Sequence, residues 1–149
     1  WRRKISYVPQ SIFLADSSFA ENIAFGVPEN KINFELVKDC ARRAKISDLI
    51  EKSKFGYTTK VGEKGVQLSG GQCQRIGIAR ALYKKNNIII FDEATSSLDK
   101  ETEEEVMESI KSLSNKNLTI IIIAHRLSTV RLCDKVYKVE DGNLKFTVI

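Results

Sequence analysis

The period of the apolar positions changes along the chain. Residues 5–8 are a short β-prone run that stops at Pro9. Residues 11–26 are mixed, with Ile12, Phe13, Leu14, Phe19, Ile23 and Phe25 apolar, before Gly26 and Pro28 break the chain. Asn33 reads as the N-cap of a helix to about residue 44, with Phe34, Val37 and Ala41 on one face. Ser47 reads as the cap of a second short helix, and residues 52–67, which hold Gly56, Gly62 and Gly65, as loop. From Ser69 a helix runs to about residue 84, with Ile76, Ala79, Arg80 and Tyr83 at helical spacing. Residues 88–91 are Ile-Ile-Ile-Phe, an unbroken apolar run of the kind expected for a strand buried on both faces. Residues 100–113 predict an amphipathic helix, with Val106, Ile110 and Leu113 inward and Glu101, Glu103, Glu104 and Glu105 outward. Residues 119–124 are a second apolar run; a short helix and a hairpin turning at residues 141–143 follow. Helices first, then strand-helix-strand, predicts an α/β fold with a parallel sheet flanked by helices and a C-terminal β-hairpin.

Composition narrows this picture. With 42% hydrophobic and 29% charged residues in 149, the chain reads as globular. No run of about 18 apolar residues occurs, so no membrane-spanning helix is expected within it. The start, Trp-Arg-Arg-Lys, lacks both Met and a following signal-type apolar stretch, and the expectation is a piece of something longer. The net charge of +5 is scattered, which predicts a solvated surface and no nucleic-acid groove. Cys40, Cys73 and Cys133 are far apart, which fits a reducing compartment and excludes a CxxC metal site.

Four segments carry candidate chemistry. Leu68-Ser69-Gly70-Gly71-Gln72 stands where a loop meets a helix: glycines admit close approach, and a helix N-terminus offers free N–H groups to a phosphate. A plain Ser-capped helix behind a Gly-Gly turn accounts for the same residues equally well. Asp92 and Glu93 end an apolar strand, and the carboxyl edge of a parallel sheet is where open α/β folds bind ligands. Asp92 suits Mg²⁺, which takes one or two carboxylates plus phosphate oxygens, and Glu93 suits the polarising of a water. His125, the single histidine, ends the next apolar run. Gln10 follows the first strand, and Ser97-Leu98-Asp99 forms a turn and helix cap.

Taken together these segments resemble the ATP-binding cassette family in its nucleotide-binding domain. Gln10 is similar to the Q-loop glutamine, residues 68–72 to the signature, and residues 88–93 to the Walker B strand with its catalytic glutamate. Residues 96–99 resemble the D-loop, and His125 the switch histidine. The resemblance covers nearly the whole chain and implies the P-loop NTPase type of α/β fold, with residues 11–84 as a mainly helical subdomain and residues 1–10 and 85–149 as the catalytic core. It also implies ATP as substrate, Mg²⁺ held by Asp92 and Gln10, catalysis by Glu93, His125 and Gln10, and an ATP bound in trans by Ser69, Gly70, Gly71 and Gln72.

Residues 11–14 and 21–26 resemble exporter-type transporters, and residues 59–65 the exporter X-loop, although Lys60 stands where Glu is usual and Lys64 where Arg is usual. Residues 9–16 are also similar to bacterial flippases for lipid-linked oligosaccharides. The implied partners are a second nucleotide-binding domain, in a homodimer or in a heterodimer of which this is the competent half, and the coupling helices of a transmembrane domain, at the cytoplasmic face of a bacterial plasma membrane. No GxxxxGK[ST] occurs, so the chain reads as the C-terminal part of the cassette, without its P-loop and inactive alone. A soluble family member in DNA repair or translation would share Ser69-Gly70-Gly71 and Asp92-Glu93, but the exporter-like segments argue against it. A non-catalytic module would leave Glu93 and His125 without a purpose.

Overall fold

A computed structural model describes residues 4–63, 65–96, 98–113 and 117–147, without the side chains of Leu127 and Ser128. Strand β1 (Ile5–Val8), β4 (Ile88–Asp92) and β5 (Thr119–Ile123) form a parallel sheet in the order β1-β4-β5. The register pairs Val8 with Phe91 and Phe91 with Ile122, so all three strands end at one edge. The connections are helix α4 (Gly70–Tyr83) before β4 and α5 (Lys100–Ser112) after it, as the apolar pattern predicts.

Burial on the sheet is one-sided. Ile89 and Phe91 are fully buried while Ile88 and Ile90 are partly covered, and on β5 Ile121 and Ile123 are about half exposed. Within these residues β4 is fully buried on one face and partly covered on the other, and β5 is partly uncovered. The helices cover one face, and the Ile-rich runs reflect β-branched propensity as much as double burial. On the covered side Ser6 of β1 is buried and donates to the Ala81 carbonyl of α4 at 2.8 Å, satisfying a hydroxyl that would otherwise be costly there.

Helix α4 is the pillar of the helical layer. Ser69 caps it in a box in which its hydroxyl accepts from Gln72 N and the Gln72 side chain accepts from Ser69 N. Ile76, Ile78 and Ala79 are buried, and the helix packs against α1 (Phe19–Ile23), α2 (Phe34–Arg43), α5 and β1. Asn33 caps α2 through Leu36 N, as expected, whereas Phe34 is exposed and Val37, Cys40 and Ala41 face the core. Helix α3 (Ser47–Lys52) begins one residue earlier than its sequence suggests. Buried Ile46 is its N-cap and Ser47 bonds only Asp48, because anchoring Ile46 after left-handed Lys45 outweighs the cap preference of serine. The stretch expected as loop contains β3 (Lys60–Val61), paired antiparallel with β2 (Ser17–Ser18), and a 3₁₀ turn at Gly56–Thr58. Gly65 makes that fold possible, since a Cβ there would collide with the Lys60 carbonyl that Val66 N bonds at 3.0 Å.

Helix α6 (Leu127–Val130) follows β5, and strands β6 (Val136–Glu140) and β7 (Asn143–Thr147) form the expected hairpin. Asp141 and Gly142 both have positive φ, 48° and 76°, the signature of a two-residue type I′ turn.

Ile76 is the test of the core. Ile76→Ala in the intact parent protein should cost about 2–5 kcal/mol of stability in this domain, read by urea unfolding with an unchanged m-value.

Candidate functional site

The common edge of the sheet collects the chemistry. Beyond β1 comes Gln10, beyond β4 Glu93, and beyond β5 His125. Glu93 turns the chain sharply. Its φ is 48°, a left-handed value that a non-glycine residue adopts at a cost of about 1–3 kcal/mol. Two backbone bonds hold it there: Glu93 N donates to Ile123 O, and Glu93 O accepts from Ser96 N, each at 3.0 Å. The bond to Ile123 fastens the glutamate to the strand that delivers His125. His125 Nε2 accordingly lies 2.9 Å from Glu93 Oε1, with the imidazole largely exposed and the carboxylate one-third exposed.

Asp92 accepts a hydrogen bond from the Tyr7 hydroxyl at Oδ2, 2.6 Å away. That bond, then desolvation and the carboxylate charge, raise the Tyr7 pKa above its ordinary value. Gln10 donates from Nε2 to Ser96 Oγ at 2.8 Å, and its carbonyl accepts from buried Gln74 Nε2 at 2.6 Å. Helix α4 thereby grips the second residue after β1. Its Arg80 adds bonds to the Asn22 and Phe13 carbonyls and lies over the Phe25 ring at 4.7 Å.

A carboxylate on one strand end and a side-chain amide on the adjacent one match the donor set of Mg²⁺, a hard cation that keeps waters and phosphate oxygens rather than a full protein cage. Among the described residues no cluster of three or more His, Cys, Asp or Glu offers such a cage.

Asp99 caps α5, accepting from Thr102 N at 3.0 Å and Thr102 Oγ1 at 2.7 Å, and these bonds lower its pKa. Leu98 is buried and touches the signature: a Cβ added at Gly70 would stand 3.2 Å from Leu98 Cδ2, and one at Gly71 would overlap the Thr102 methyl. Ser97 lies outside the described residues. Ser69 and Gly70 are exposed, and no hydrogen bond or ion pair among the described residues joins Ser69–Gln72 to Gln10, Asp92, Glu93 or His125. The residues after the three strands come together at one edge, then, while the signature stands apart from their contacts.

Glu103 is a correction. Expected on the outer face of α5, it is only 3% exposed and bonded to Arg126 and Thr129. The signal was available, because Glu103 precedes Val106 by three positions and Ile110 by seven and so belongs to the apolar stripe. Tyr7 and Gln74 also escaped the sequence reading, since a tyrosine on a strand and a glutamine on a helix announce no partner.

Fold and edge define an α/β protein of the P-loop NTPase fold class. The ABC transporter family model matches residues 1–96, and the chain belongs to that family. It is 43% identical over 143 residues to an ATP-dependent lipid A-core flippase of Methylococcus capsulatus, covering 96% of this chain and 24% of that protein. To the ABC transporter ATM1 of Toxoplasma gondii it is 40% identical over 144 residues, covering 97% of this chain and 12% of that one. Its structure is similar to that of a bacterial Atm1-family ABC exporter with ATP bound, at TM-score 0.80 and 38% identity, over 96% of this chain and 24% of that one. The chain thus spans a quarter or less of the length of these relatives.

The Tyr7–Asp92 contact is testable by titration. A raised phenol pKa means that the contact stabilises the fold below the ordinary tyrosine pKa and ceases to do so as pH rises through the folded value. Asp92→Asn should bring the Tyr7 titration down toward the ordinary value, in ultraviolet difference spectra referenced to Tyr7→Phe. An unmoved titration would disprove the coupling.

Proposed function

We propose that this chain is the ATP-hydrolysing portion of an exporter-type ABC transporter, with Glu93 as general base. The observation that carries the reading is the Glu93–His125 pair, 2.9 Å apart where two parallel strands end. Glu93 uses one oxygen on the imidazole and keeps the other for a water proton. His125 orients that carboxylate and would contact the γ-phosphate. Asp92 and Gln10 hold Mg²⁺, which when bound neutralises charge on the phosphate oxygens. Gln10, fastened to α4 through Gln74, reports the state of the edge to the signature helix.

The division into a helical portion, residues 11–84, and a core, residues 1–10 and 85–149, belongs to this reading. Its support is α4, which packs on α1 and α2 while its side chains hold the stretch after β1. No GxxxxGK[ST] occurs in the 149 residues, so the grip on the β- and γ-phosphates comes from other residues of the parent protein. Ser69 to Gln72 serve an ATP held by a second cassette, in a homodimer or in a heterodimer of which this is the competent half: Ser69 and Gly70 are exposed, and among the described residues none of the four is bonded to this chain's own edge residues. The helical portion meets a transmembrane domain at the cytoplasmic face of a bacterial plasma membrane. Relatives with different names match the chain comparably, at 40% and 43% identity, so these residues carry a shared engine and the choice of cargo lies elsewhere.

In the full-length protein Glu93→Gln should slow hydrolysis about 10²–10⁴-fold, roughly 3–5 kcal/mol of barrier, while ATP binding persists. Near-normal turnover in a phosphate-release assay would remove Glu93 from the role.

Gly70→Asp separates trans from cis contact. A carboxylate set beside the γ-phosphate of a partner-held ATP should abolish ATP-driven dimerisation and hydrolysis, yet leave nucleotide binding to the monomer intact. Loss of monomer binding, measured by fluorescent-nucleotide titration, would place the signature on its own chain's ATP.

A further inference from the structure

The turn after β4 and the turn after β5 are held by one ion pair, between buried Glu103 and the exposed Arg126. Glu103 projects from the apolar stripe of α5 and is 3% exposed. Its Oε2 accepts from Arg126 Nη1 at 2.5 Å, and its Oε1 from Thr129 Oγ1 at 2.8 Å and, more weakly, from Thr95 Oγ1 at 3.5 Å. Burial alone would raise the Glu103 pKa; the Arg126 bond, the Thr129 hydroxyl and the Arg126 charge outweigh it, so the carboxyl is held below the usual range. Arg126 then spends two more donors on the other turn. Nη1 also bonds Leu98 O at 3.3 Å, and Nη2 bonds Ser96 O at 2.9 Å. One planar guanidinium thus reads two carbonyls that flank position 97 together with a buried carboxylate, which a lysine, a point charge on a flexible stem, cannot do.

The position of this pair in the chain matters as much as its strength. Arg126 is the residue after His125, whose imidazole meets Glu93. Ser96, whose carbonyl Arg126 holds, takes the Gln10 amide on its hydroxyl. Leu98, the other carbonyl, packs beside Gly70 at the signature. A shift of Arg126 would therefore move the His125 turn and the Ser96–Asp99 turn together.

We propose that Glu103 and Arg126 are positioning residues for ATP hydrolysis, fixing the His125 turn and the Ser96–Asp99 turn in one frame so that turnover, and not nucleotide affinity, depends on the pair. The proposal rests on the ATPase reading above. Both residues act through their neighbours: Arg126 through the backbone next to His125 and the carbonyls of Ser96 and Leu98, Glu103 through Arg126.

The test uses the full-length protein in lipid nanodiscs, with steady-state ATPase kinetics and melting temperatures for Arg126→Lys and for the double variant Glu103→Gln/Arg126→Met. The double variant leaves no unpaired charge buried, so it should melt close to the unsubstituted protein. Both variants should lose about tenfold or more in kcat with KM for ATP changed by less than about twofold. Adding His125→Ala to Arg126→Lys should cost much less than it does in the unsubstituted background, because the two act in one unit. Normal kcat in Arg126→Lys or in a folded double variant would overturn the proposal, as would a loss carried wholly by KM. Absence of hydrolysis in the unsubstituted protein would instead remove the ATPase reading, and the proposal with it.

Discussion

Everything at the functional edge depends on the parallel register of three short strands. Pairing Ile5–Val8 with Ile88–Phe91, and Ile88–Asp92 with Thr119–Ile123, aligns the strand ends to within a residue. A parallel pair requires a crossover, and here α4 and α5 supply the two that surround β4. Those crossovers set which groups meet. The helix before β4 brings Gln74 to Gln10, and the helix after it brings Glu103 beneath Arg126. A slip of one residue in β4 would turn Ile89 and Phe91 outward and carry Glu93 away from the Ile123 carbonyl that stabilises its left-handed backbone.

Much of this was legible in the sequence because the signals are local. A cap residue and the spacing behind it announce α2 and α4, and Asp-Gly between two β-prone runs announces the hairpin. The unread features are tertiary. The start of α3 is decided by Ile46 entering the core, which no cap rule reports. The β2–β3 ladder has two residues per strand and is fixed by a glycine fitting against a carbonyl, too short a pattern for periodicity to show. Which face of the Ile runs is covered is not readable from the runs themselves, because an apolar residue states what it could bury, not which neighbour covers it.

The candidate site follows the same division. Its residues could be picked out by type and position, but not the contacts that give them a task. Glu93 and His125 lie far apart in sequence, and only the β4–β5 pairing places one ring nitrogen on one carboxylate oxygen. Glu103 stands among other acids, which points to the surface, although its helical phase points inward. A charge on an apolar stripe requires a partner, and that partner lies 23 residues away.

The open side of β5 has a consequence of a different kind. Among the described residues β5 ends the sheet, with Ile121 and Ile123 close to half exposed and no charge anywhere in Thr-Ile-Ile-Ile-Ile. Such a strand is a template for any second strand that reaches it, another copy's β5 included. Whatever covers this edge in the parent protein therefore also acts as its gatekeeper against fibre-like association. Colloidal behaviour will follow the cover on those five residues more closely than the net charge of +5.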